Sequence, residues 1–351
     1  MSVAGFTRRR RPLGRIHVPA VTLAHGGGGK AMKDLIDDVF VATFDNPLLA
    51  PLDDAARLDV GGAGIAFTTD SFVVDPLVFP GGDIGKLAVC GTVNDLAVAG
   101  AVPLYLSCAV IIEEGMPLDL LRRIARSMAA AAGAAGVRIV TGDTKVVGRH
   151  ACDKLFITTT GIGAMRPGVA LDARSVRPGD AVLVNGVLGD HGAAILAARG
   201  DLALETPVES DCAALHELVA ALLAAAPGTR FIRDPTRGGI ATVLNEIAAA
   251  AGACVEIDEQ HTPIREAVRG FCEILGLDPL YLANEGKIVA VVPPREADAA
   301  LGALRAHPLG GEAAIIGRVG GGEPGRVTMR TGFGGSRIVD MLVGEQLPRI
   351  C

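Results

Sequence analysis

Tryptophan is absent from this 351-residue sequence, tyrosine occurs only twice, and aromatic residues make up 3% of the chain. Nucleic-acid-binding surfaces combine clustered basic residues with stacking aromatics, and no such face is visible here. The net charge of −6 also disfavours a general nucleic-acid partner. The arginine run Arg8–Arg11 is a local exception. Because no apolar stretch follows it, we interpret it as a solvated basic tail and not as a secretion signal.

Long hydrophobic runs are missing as well. The longest uncharged stretch covers 96–112 and contains Gly100 and Pro103, so it predicts a buried helix end and a buried strand, not a membrane span. The seven cysteines are scattered, odd in number and without CxxC spacing. This pattern is typical of reduced thiols in a cytoplasm and disfavours a disulfide framework or a zinc site. We therefore expect a cytoplasmic protein that does not span a membrane.

What the sequence contains is typical of a mixed α/β protein. The length suffices for two domains with separate cores, and strand-like and helix-like segments alternate in both halves. Turn-forming residues at 166–168, or the later ones at 177–180, indicate the boundary. The predicted parts are an N-terminal tail, glycine turn and helix at 1–45, α/β domains at 46–166 and 167–341, and a mobile tail at 342–351.

Apolar periodicity predicts the individual elements. Strands are predicted at 66–69, 103–112, 137–147, 155–162, 181–185, 254–257 and 287–292. Helices are predicted at 34–44, 84–99, 117–135, 190–199, 211–226 and 237–251.

Acidic residues stand beside turns or glycines at several predicted strand ends: Asp53 and Asp54, Asp70, Asp95 and Asp143. Any one of them is equally well explained as a helix cap, an Asx turn or a solvated charge. If three converged at ~4–5 Å, each pair would cost roughly 3–4 kcal/mol at an effective dielectric constant near 20. Such a cluster requires a bound cation, and oxygen-only ligands favour Mg²⁺.

Glycine-rich segments supply candidate phosphate sites at 25–30, 81–86 and 234–239, each beside a predicted helix start. Successive amides at a helix N-terminus bind anions, although such glycines often only permit a turn. None of the three fits GxxxxGK[ST] or GxGxxG. A classical P-loop and a dinucleotide fold are therefore disfavoured.

The helix that begins after the second glycine segment carries a polar stripe. Asp83, Lys86, Cys90 and Asn94 lie within an arc of about 80° at 100° per residue. On an otherwise apolar helix, this stripe must face a site, a partner or solvent.

Four further residues are candidates for chemistry. Glu285 precedes a buried strand and is either a solvated carboxylate or a general base, and Lys145 is either a surface charge or a proton- or phosphate-handling group. His191 either caps its helix or serves a site. Cys351 is the last residue, and termini are seldom packed, so its thiol is either an ordinary free thiol or a carrier that swings into another site.

Eight segments together resemble the hydrogenase maturation factor HypE family. They are HGGGG at 25–29, TTDSF at 68–72, PGGDIGKLAVCGTVNDLAVAGA at 80–101, GDTKVV at 142–147, GDHG at 189–192, RDPTRGG at 233–239, LANEGK at 282–287 and PRIC at 348–351. The resemblance runs from about Thr22 to Cys351 and leaves out only the arginine-rich N-terminus.

The resemblance implies the fold of aminoimidazole ribonucleotide synthetase, selenophosphate synthetase and thiamine-monophosphate kinase. In that fold two N-terminal domains form a β-barrel across a homodimer, and ATP with Mg²⁺ binds beside it. Cys351 would be the carrier, with Lys145 and Glu285 deprotonating the group that it carries. Metal ligands would be Asp54, Asp70, Asp95, Asp143 and Asp234. Nucleotide-binding residues would be Asp83, Lys86, Asn94, Asp143, Thr144, Asp234 and Asn284.

The implied reaction is the ATP-dependent dehydration of a carbamoyl group on Cys351 to a thiocyanate. A carbamoyltransferase, HypF, would load the thiol, and a HypC–HypD complex would take the cyano group for the iron of [NiFe] hydrogenase. A small-molecule kinase or synthetase of the same superfamily is the alternative enzyme, and a non-catalytic carrier or scaffold is the alternative outside enzymes. The two alternatives can be told apart, since a kinase does not need Cys351 and a scaffold does not need ATP.

Overall fold

Two β-sheets contain most of the strands in the computed structural model, which describes residues 14–200, 207–342 and 349–351. The strands are β1 Ala56–Val60, β2 Ala63–Phe72, β3 Val78–Phe79, β4 Gly82–Asp83, β5 Ala101–Glu113, β6 Arg138–Val147, β7 Leu155–Met165, β8 Ala181–Val184, β9 Phe231–Arg233, β10 Cys254–Asp258, β11 Val289–Val292, β12 Ala314–Gly320, β13 Val327–Arg330 and β14 Ser336–Ile338. Arg8–Arg11 lie outside the described residues.

The helices separate these strands along the chain. They are α1 Lys30–Leu35, continued by the π-helical turn Ile36–Val41 into α2 Ala42–Phe44, then α3 Ile84–Val98, α4 Leu118–Ala134, α5 Asp190–Arg199, α6 His216–Ala225, α7 Gly239–Ala251, α8 Glu266–Leu275 and α9 Ala297–Ala306. Among the described segments, no helix has the length and hydrophobicity needed to cross a membrane.

The first sheet has the strand order β1-β2-β7-β5-β6, with β5 and β6 parallel and the other pairs antiparallel. Helices α3 and α4 pack on one face. In α4 the spacing of Ile124, Met128 and Ala132 places all three on the buried side. The opposite face presents apolar side chains, including Phe67 and Ile162, that are about 40% exposed. The described residues therefore leave one side of this sheet uncovered.

The second sheet has the order β14-β13-β10-β12-β8-β11-β9 and is covered on both faces. In β8, Val182 and Val184 pack with α7, whereas Ala181 and Leu183 pack with α6 and α9. Because alternate residues of a strand point to opposite faces, all four are buried. This accounts for the continuous apolar sequence of the strand.

The alternation of strands and helices predicted from the sequence is confirmed. Every predicted strand and helix has a counterpart, with ends displaced by a few residues. The elements without a predicted counterpart are β1, β3, β4, β9, α8, α9 and the three last strands. These strands are short or occur near glycine-rich turns, so their periodicity is too brief to register.

The polar stripe of α3 faces the second half of the chain. The Asn94 side-chain amide donates to the carbonyl oxygens of Ala213 (3.0 Å) and Glu285 (3.3 Å), and its oxygen accepts from the Leu215 amide at 2.8 Å. Asn94 is 1% exposed. At Asn94 the stripe thus faces neither solvent nor a separate partner but the interface between the two sheet layers of its own chain.

Candidate active site

Acidic side chains from four elements converge where the two layers meet. Carboxylate oxygens of Asp54, Asp95 and Asp234 all lie within 4.8 Å of one another. They come from the segment before β1, from α3 and from the segment after β9. Asp70 of β2 hydrogen-bonds Asp95 and acts electrostatically on Asp234. Four of the five predicted metal ligands are therefore brought together in one chain.

The cluster is electrostatically unfavourable without a counterion. Burial, followed by the negative charges of Asp70 and Asp234, raises the pKa of Asp95 well above its usual range. Burial and the neighbouring carboxylates of Asp54 and Asp70 raise the pKa of Asp234 to about 8. Like charges in a low-dielectric site disfavour joint ionisation. A bound cation removes that penalty, and this oxygen-only donor set fits Mg²⁺.

Two neighbours hold these carboxylates in place. The Thr68 hydroxyl donates to Asp95 Oδ2 at 2.6 Å. The Arg233 guanidinium donates to Asp54 at 3.0 Å and also pairs with Glu246. Arg233 thereby fixes the orientation of a candidate ligand.

Asp143, Thr144 and Lys145 lie elsewhere. They belong to β6, the edge strand opposite β1, three strand positions from the strand of Asp70. At about 4.8 Å per strand this is roughly 14 Å across the sheet. The side chains of Asp143 and Lys145 are 61% and 67% exposed and pair with each other at 2.8 Å. Within a single chain Asp143 is thus apart from the other metal carboxylates, because β6 points it outward at the sheet edge, and its assignment as a ligand stays a prediction.

Several residues assigned to the nucleotide bind protein groups instead. One Asp83 carboxylate oxygen accepts from the amides of Gly85 (2.9 Å) and Lys86 (3.0 Å) and caps α3. The Lys86 ammonium donates to the Gly81 carbonyl at 2.9 Å. The Asn284 oxygen accepts from the Gly189 amide at 2.8 Å, and its nitrogen donates to the Pro235 carbonyl at 3.0 Å.

Those contacts give these residues structural roles in the described part of the chain. The cap at Asp83 follows from its position directly before a helix, where short acidic side chains are favoured. The nucleotide assignment of these four residues (Asp83, Lys86, Asn94 and Asn284) stays a prediction.

Glu285 is a buried carboxylate next to the acidic cluster. It is 3% exposed, and its Oε1 has no hydrogen-bond partner among the described residues. Burial, and then the charges of Asp234, Asp211 and Asp70, raise its pKa well above the usual range. A buried, proton-avid carboxylate fits the general-base interpretation rather than that of a solvated charge.

Asp211 is a neighbour of Glu285 that no sequence pattern predicts. Its carboxylate accepts from the Glu285 amide at 3.0 Å and from the Lys287 ammonium at 2.8 Å. No motif surrounds Asp211, and it precedes the helix α6 by several residues, so the sequence holds no signal for this long-range contact. It fixes the backbone that carries Glu285.

The C-terminal residues are docked against this site. The Cys351 carbonyl accepts from the Val73 amide at 3.0 Å, and the Arg349 carbonyl accepts from Asp75 (3.3 Å) and Arg199 (2.9 Å). Ile350 is 3% exposed. The expectation of a mobile tail is not confirmed: the three described tail residues are bound to their own chain, and 343–348 lie outside the described residues.

The Cys351 thiol is close to the charges of the site. Burial raises its pKa to about 12, and the charges of Arg237, Glu285, Asp70 and Asp234 also act on it. Cys351 packs against the same apolar cluster as Ile350. The terminal thiol, the candidate base and the acidic cluster are therefore assembled in one place.

Two glycine turns, at 26–29 and 237–239, pack against each other near the C-terminal tail. A Cβ at Gly28 (φ +77°) would lie 2.7 Å from Arg237, and one at Gly29 would lie 2.1 Å from the Leu342 carbonyl oxygen. That same carbonyl accepts from the Lys30 amide at 3.0 Å. Glycine is needed here for close backbone approach, and the turns at 26–29 and 237–239 are thereby juxtaposed.

Comparisons with known proteins agree with this architecture. The N-terminal domain model of AIR synthase related proteins matches residues 52–165, and the corresponding C-terminal domain model matches 177–330. The carbamoyl dehydratase HypE of Rhodobacter capsulatus is 63% identical over 336 residues, covering 94% of this chain and 98% of the relative.

Solved structures give the same result. A HypE–HypF complex has a chain with 48% identity and a TM-score of 0.83, covering 88% of this chain and 99% of that one. A HypE structure in complex with ATP has 51% identity and a TM-score of 0.79, covering 95% and 100%. The fold is thus the two-domain α/β fold of the AIR synthase related proteins, and the chain belongs to the HypE carbamoyl dehydratase family.

Proposed function

We propose that this chain uses ATP to dehydrate a carbamoyl group on its own Cys351, and so supplies the cyanide ligand for the iron of [NiFe] hydrogenase. The observation that carries the proposal is the docking of the terminal thiol beside Glu285 and the acidic cluster. A terminal thiol in this position lies where the group to be dehydrated must be held. A small-molecule kinase would not need its terminal thiol in the site.

The chemistry fits the groups around the thiol. The amide oxygen of an S-carbamoyl group is a poor leaving group, and transfer of the γ-phosphoryl group of ATP to it makes departure easy. Loss of both amide protons then leaves the S-cyano group, with ADP and phosphate as the other products. Glu285 Oε1 is the proposed acceptor of an amide proton: no described group occupies this oxygen, and burial raises the proton affinity of the carboxylate. Lys145 is the proposed second proton-handling group.

The nucleotide and the cation have separate proposed ligands. Asp54, Asp70, Asp95 and Asp234 would hold Mg²⁺, which would neutralise the phosphate charge during transfer. Lys86 and the glycine turns would line the phosphate site, with Asp83, Asn94 and Asn284 shaping the walls. ATP binding by this chain is supported by the ATP complex of a HypE relative.

A homodimer is part of the proposal. The uncovered face and the edge of the first sheet carry exposed apolar side chains, among them Val140 (59%) and Val146 (67%). Exposed apolar patches of this kind mark association surfaces. Pairing two such sheets into a barrel would cover them and would bring Asp143, Thr144 and Lys145 of one subunit toward the site of the other. The proposed architecture has two domains, at 46–166 and 167–341. It also has a tail, at 342–351, which moves out of the site during the reaction cycle.

The proposed partners follow from the reaction. A HypF-type carbamoyltransferase would load Cys351, as the HypE–HypF complex of a relative supports. Loading requires the tail to leave the site, since a half-buried thiol with a raised pKa is a poor nucleophile. A HypC–HypD complex would then take the cyano group.

The test is the mass of the C-terminal peptide. The chain is incubated with carbamoyl phosphate, ATP, Mg²⁺ and a HypF-type carbamoyltransferase, and the digest is analysed by mass spectrometry. A mass gain equal to a cyano group replacing hydrogen on Cys351 is expected. Cys351→Ala should bind ATP but gain nothing, whereas Cys152→Ala should behave as the wild type. A carbamoyl group that persists with ATP, or no gain beside an active control chain, would contradict the proposal.

A further inference from the structure

His191 is a fully buried side chain that the proposed chemistry does not use. It lies in the first turn of α5 and is 0% exposed. Its Nδ1 lies 2.8 Å from Ser210 Oγ, and its Nε2 lies 2.8 Å from the carbonyl oxygen of Ile350. Ile350 directly precedes the carrier cysteine. A ring in the second half of the chain thus contacts the last peptide unit.

The partners of the imidazole fix its tautomer. A carbonyl oxygen only accepts hydrogen bonds, so Nε2 carries the proton and donates to Ile350. Burial lowers the pKa of His191, so the ring is neutral and Nδ1 accepts from the Ser210 hydroxyl. Ser210 Oγ in turn accepts from the Cys212 amide at 3.2 Å. These bonds form one directed series from Cys212 to the tail.

Ser210 is itself fixed by the loop before α3. Its amide donates to the Pro80 carbonyl at 2.8 Å, and a Cβ at Gly81 would lie 2.5 Å from the Ser210 carbonyl oxygen. Phe79 packs its ring edge-on to His191 at 5.7 Å between centroids. The imidazole therefore has a defined position as well as a defined tautomer.

We propose that His191 is a positioning residue that holds the carrier tail in the site through Ile350, with Ser210 fixing the tautomer needed for that bond. The inference rests on the proposed function and names a device that serves it. Consecutive Cα atoms are only about 3.8 Å apart, so fixing the Ile350 carbonyl restricts where the Cys351 thiol can lie. Small displacements at a reacting group cost rate steeply.

Two amide substitutions separate the two hydrogen bonds of the ring. In His191→Gln the side-chain nitrogen reaches the position of Nε2, so the bond to Ile350 is retained. In His191→Asn the shorter amide reaches only the position of Nδ1, so the bond to Ser210 is retained and that to Ile350 is lost. The pair matches in polarity and differs in the contact that the proposal requires.

The first readout is the rate at which iodoacetamide alkylates Cys351, followed on the C-terminal peptide by mass spectrometry. One lost hydrogen bond should increase the undocked fraction, and with it the alkylation rate, about 3- to 10-fold in His191→Asn. His191→Gln should stay within about twofold of the wild type, and Ser210→Ala should fall between the two. The second readout is dehydration of the carbamoylated chain, which should slow in the same order.

Three outcomes decide the matter. Equal alkylation rates in the Gln and Asn variants, with both chains folded, would overturn the positioning role. Loss of ATP binding in His191→Asn would also overturn it, because the ring would then support the nucleotide site. Alkylation does not depend on dehydration. A wild-type chain that formed no thiocyanate but showed the Gln–Asn difference would therefore overturn the proposed function and support the anchoring by His191.

Discussion

Aspartates occur in opposite surroundings in two regions of the molecule. One group lies buried between the two layers, and the other, Asp143 with Lys145, is exposed on β6. The first group is buried enough to raise the pKa values of Asp95 and Asp234. In the second, hydrogen bonds from Lys145 and the Thr144 amide hold the pKa of an exposed Asp143 below its usual range. Convergence within one chain makes the first group a site, whereas the second group becomes part of one only if another surface covers it.

This difference shows how much of the site belongs to a single chain. Four acidic residues, Glu285 and Cys351 are assembled without help. The segment with Lys145 is solvated and lies on β6, which pairs only with β5 among the described strands, and such an edge is a natural position for pairing with another sheet. Substitutions in the two groups should therefore differ in kind as well as in size.

The largest effect is expected from Asp95→Asn in the buried group. Loss of one ligand should weaken Mg²⁺-ATP binding by at least about 100-fold, as measured by calorimetry. Without Mg²⁺ the sign reverses: removing one of several like charges should stabilise the fold by about 1–3 kcal/mol, seen as a higher melting temperature. The exposed Asp119→Asn is the matched control and should change neither quantity. A destabilised Asp95→Asn chain without Mg²⁺ would contradict the repulsion.

The second effect tests whether β6 acts in the neighbouring subunit. Lys145→Ala should slow dehydration about 100-fold or more if Lys145 handles a proton. It should change the free energy of unfolding by less than about 0.5 kcal/mol, because the side chain is 67% exposed.

Mixed dimers provide the control for Lys145. A subunit with Lys145→Ala is combined with one carrying Cys351→Ala, each inactive alone. If Lys145 acts across the dimer, the mixture regains thiocyanate on the only Cys351 present. Failure to regain activity in verified mixed dimers would place Lys145 in its own subunit or outside the chemistry.

The sequence predicted the alternation of elements because strand and helix periodicities are local properties. It predicted the acidic residues at strand ends for the same reason, yet it could not show which of them converge. Asp54, Asp95 and Asp234 meet only through sheet order and the packing of the two layers. Asp143 stands in an equally clear sequence motif. It is separated from the other carboxylates only because β6 lies at the far edge of the sheet.

Long-range contacts were out of reach for a related physical reason. Asp211 acts through a contact to Glu285 that is far away in sequence, and His191, although itself a candidate, contacts the equally distant Ile350. The resemblance to a family supplied Cys351, but the hydrogen bonds that hold the tail come from segments without any motif, such as Val73 and Asp75.

A smaller effect should follow from Val140→Lys on the exposed edge. Val140 is 59% exposed, so a charge there costs a single chain little. Charged residues on an edge strand oppose pairing with another sheet. Sedimentation should show dimers converted to monomers, with dehydration lost while Mg²⁺-ATP binding by the buried carboxylates is partly retained. A Val140→Lys chain that stays dimeric would mean that another surface forms the dimer, and Ile274→Lys on the exposed side of α8 is the matched control.

The smallest effect concerns Asp83, which the sequence assigned to the nucleotide and the structure uses as the N-cap of α3. Asp83→Ala removes the acceptor for the amides of Gly85 and Lys86 and should destabilise the fold by about 1 kcal/mol in chemical denaturation. Asp83→Asn keeps an acceptor oxygen and should cost less, because asparagine is an equally good cap. Both variants should bind ATP within about twofold of the wild type, since a cap of this size is worth little to the ligand. If both instead lost ATP affinity alike while stability stayed unchanged, Asp83 would join the buried carboxylates as a ligand-binding residue. The ligand-binding part of α3 would then extend from Asp95 back to the N-cap of the helix.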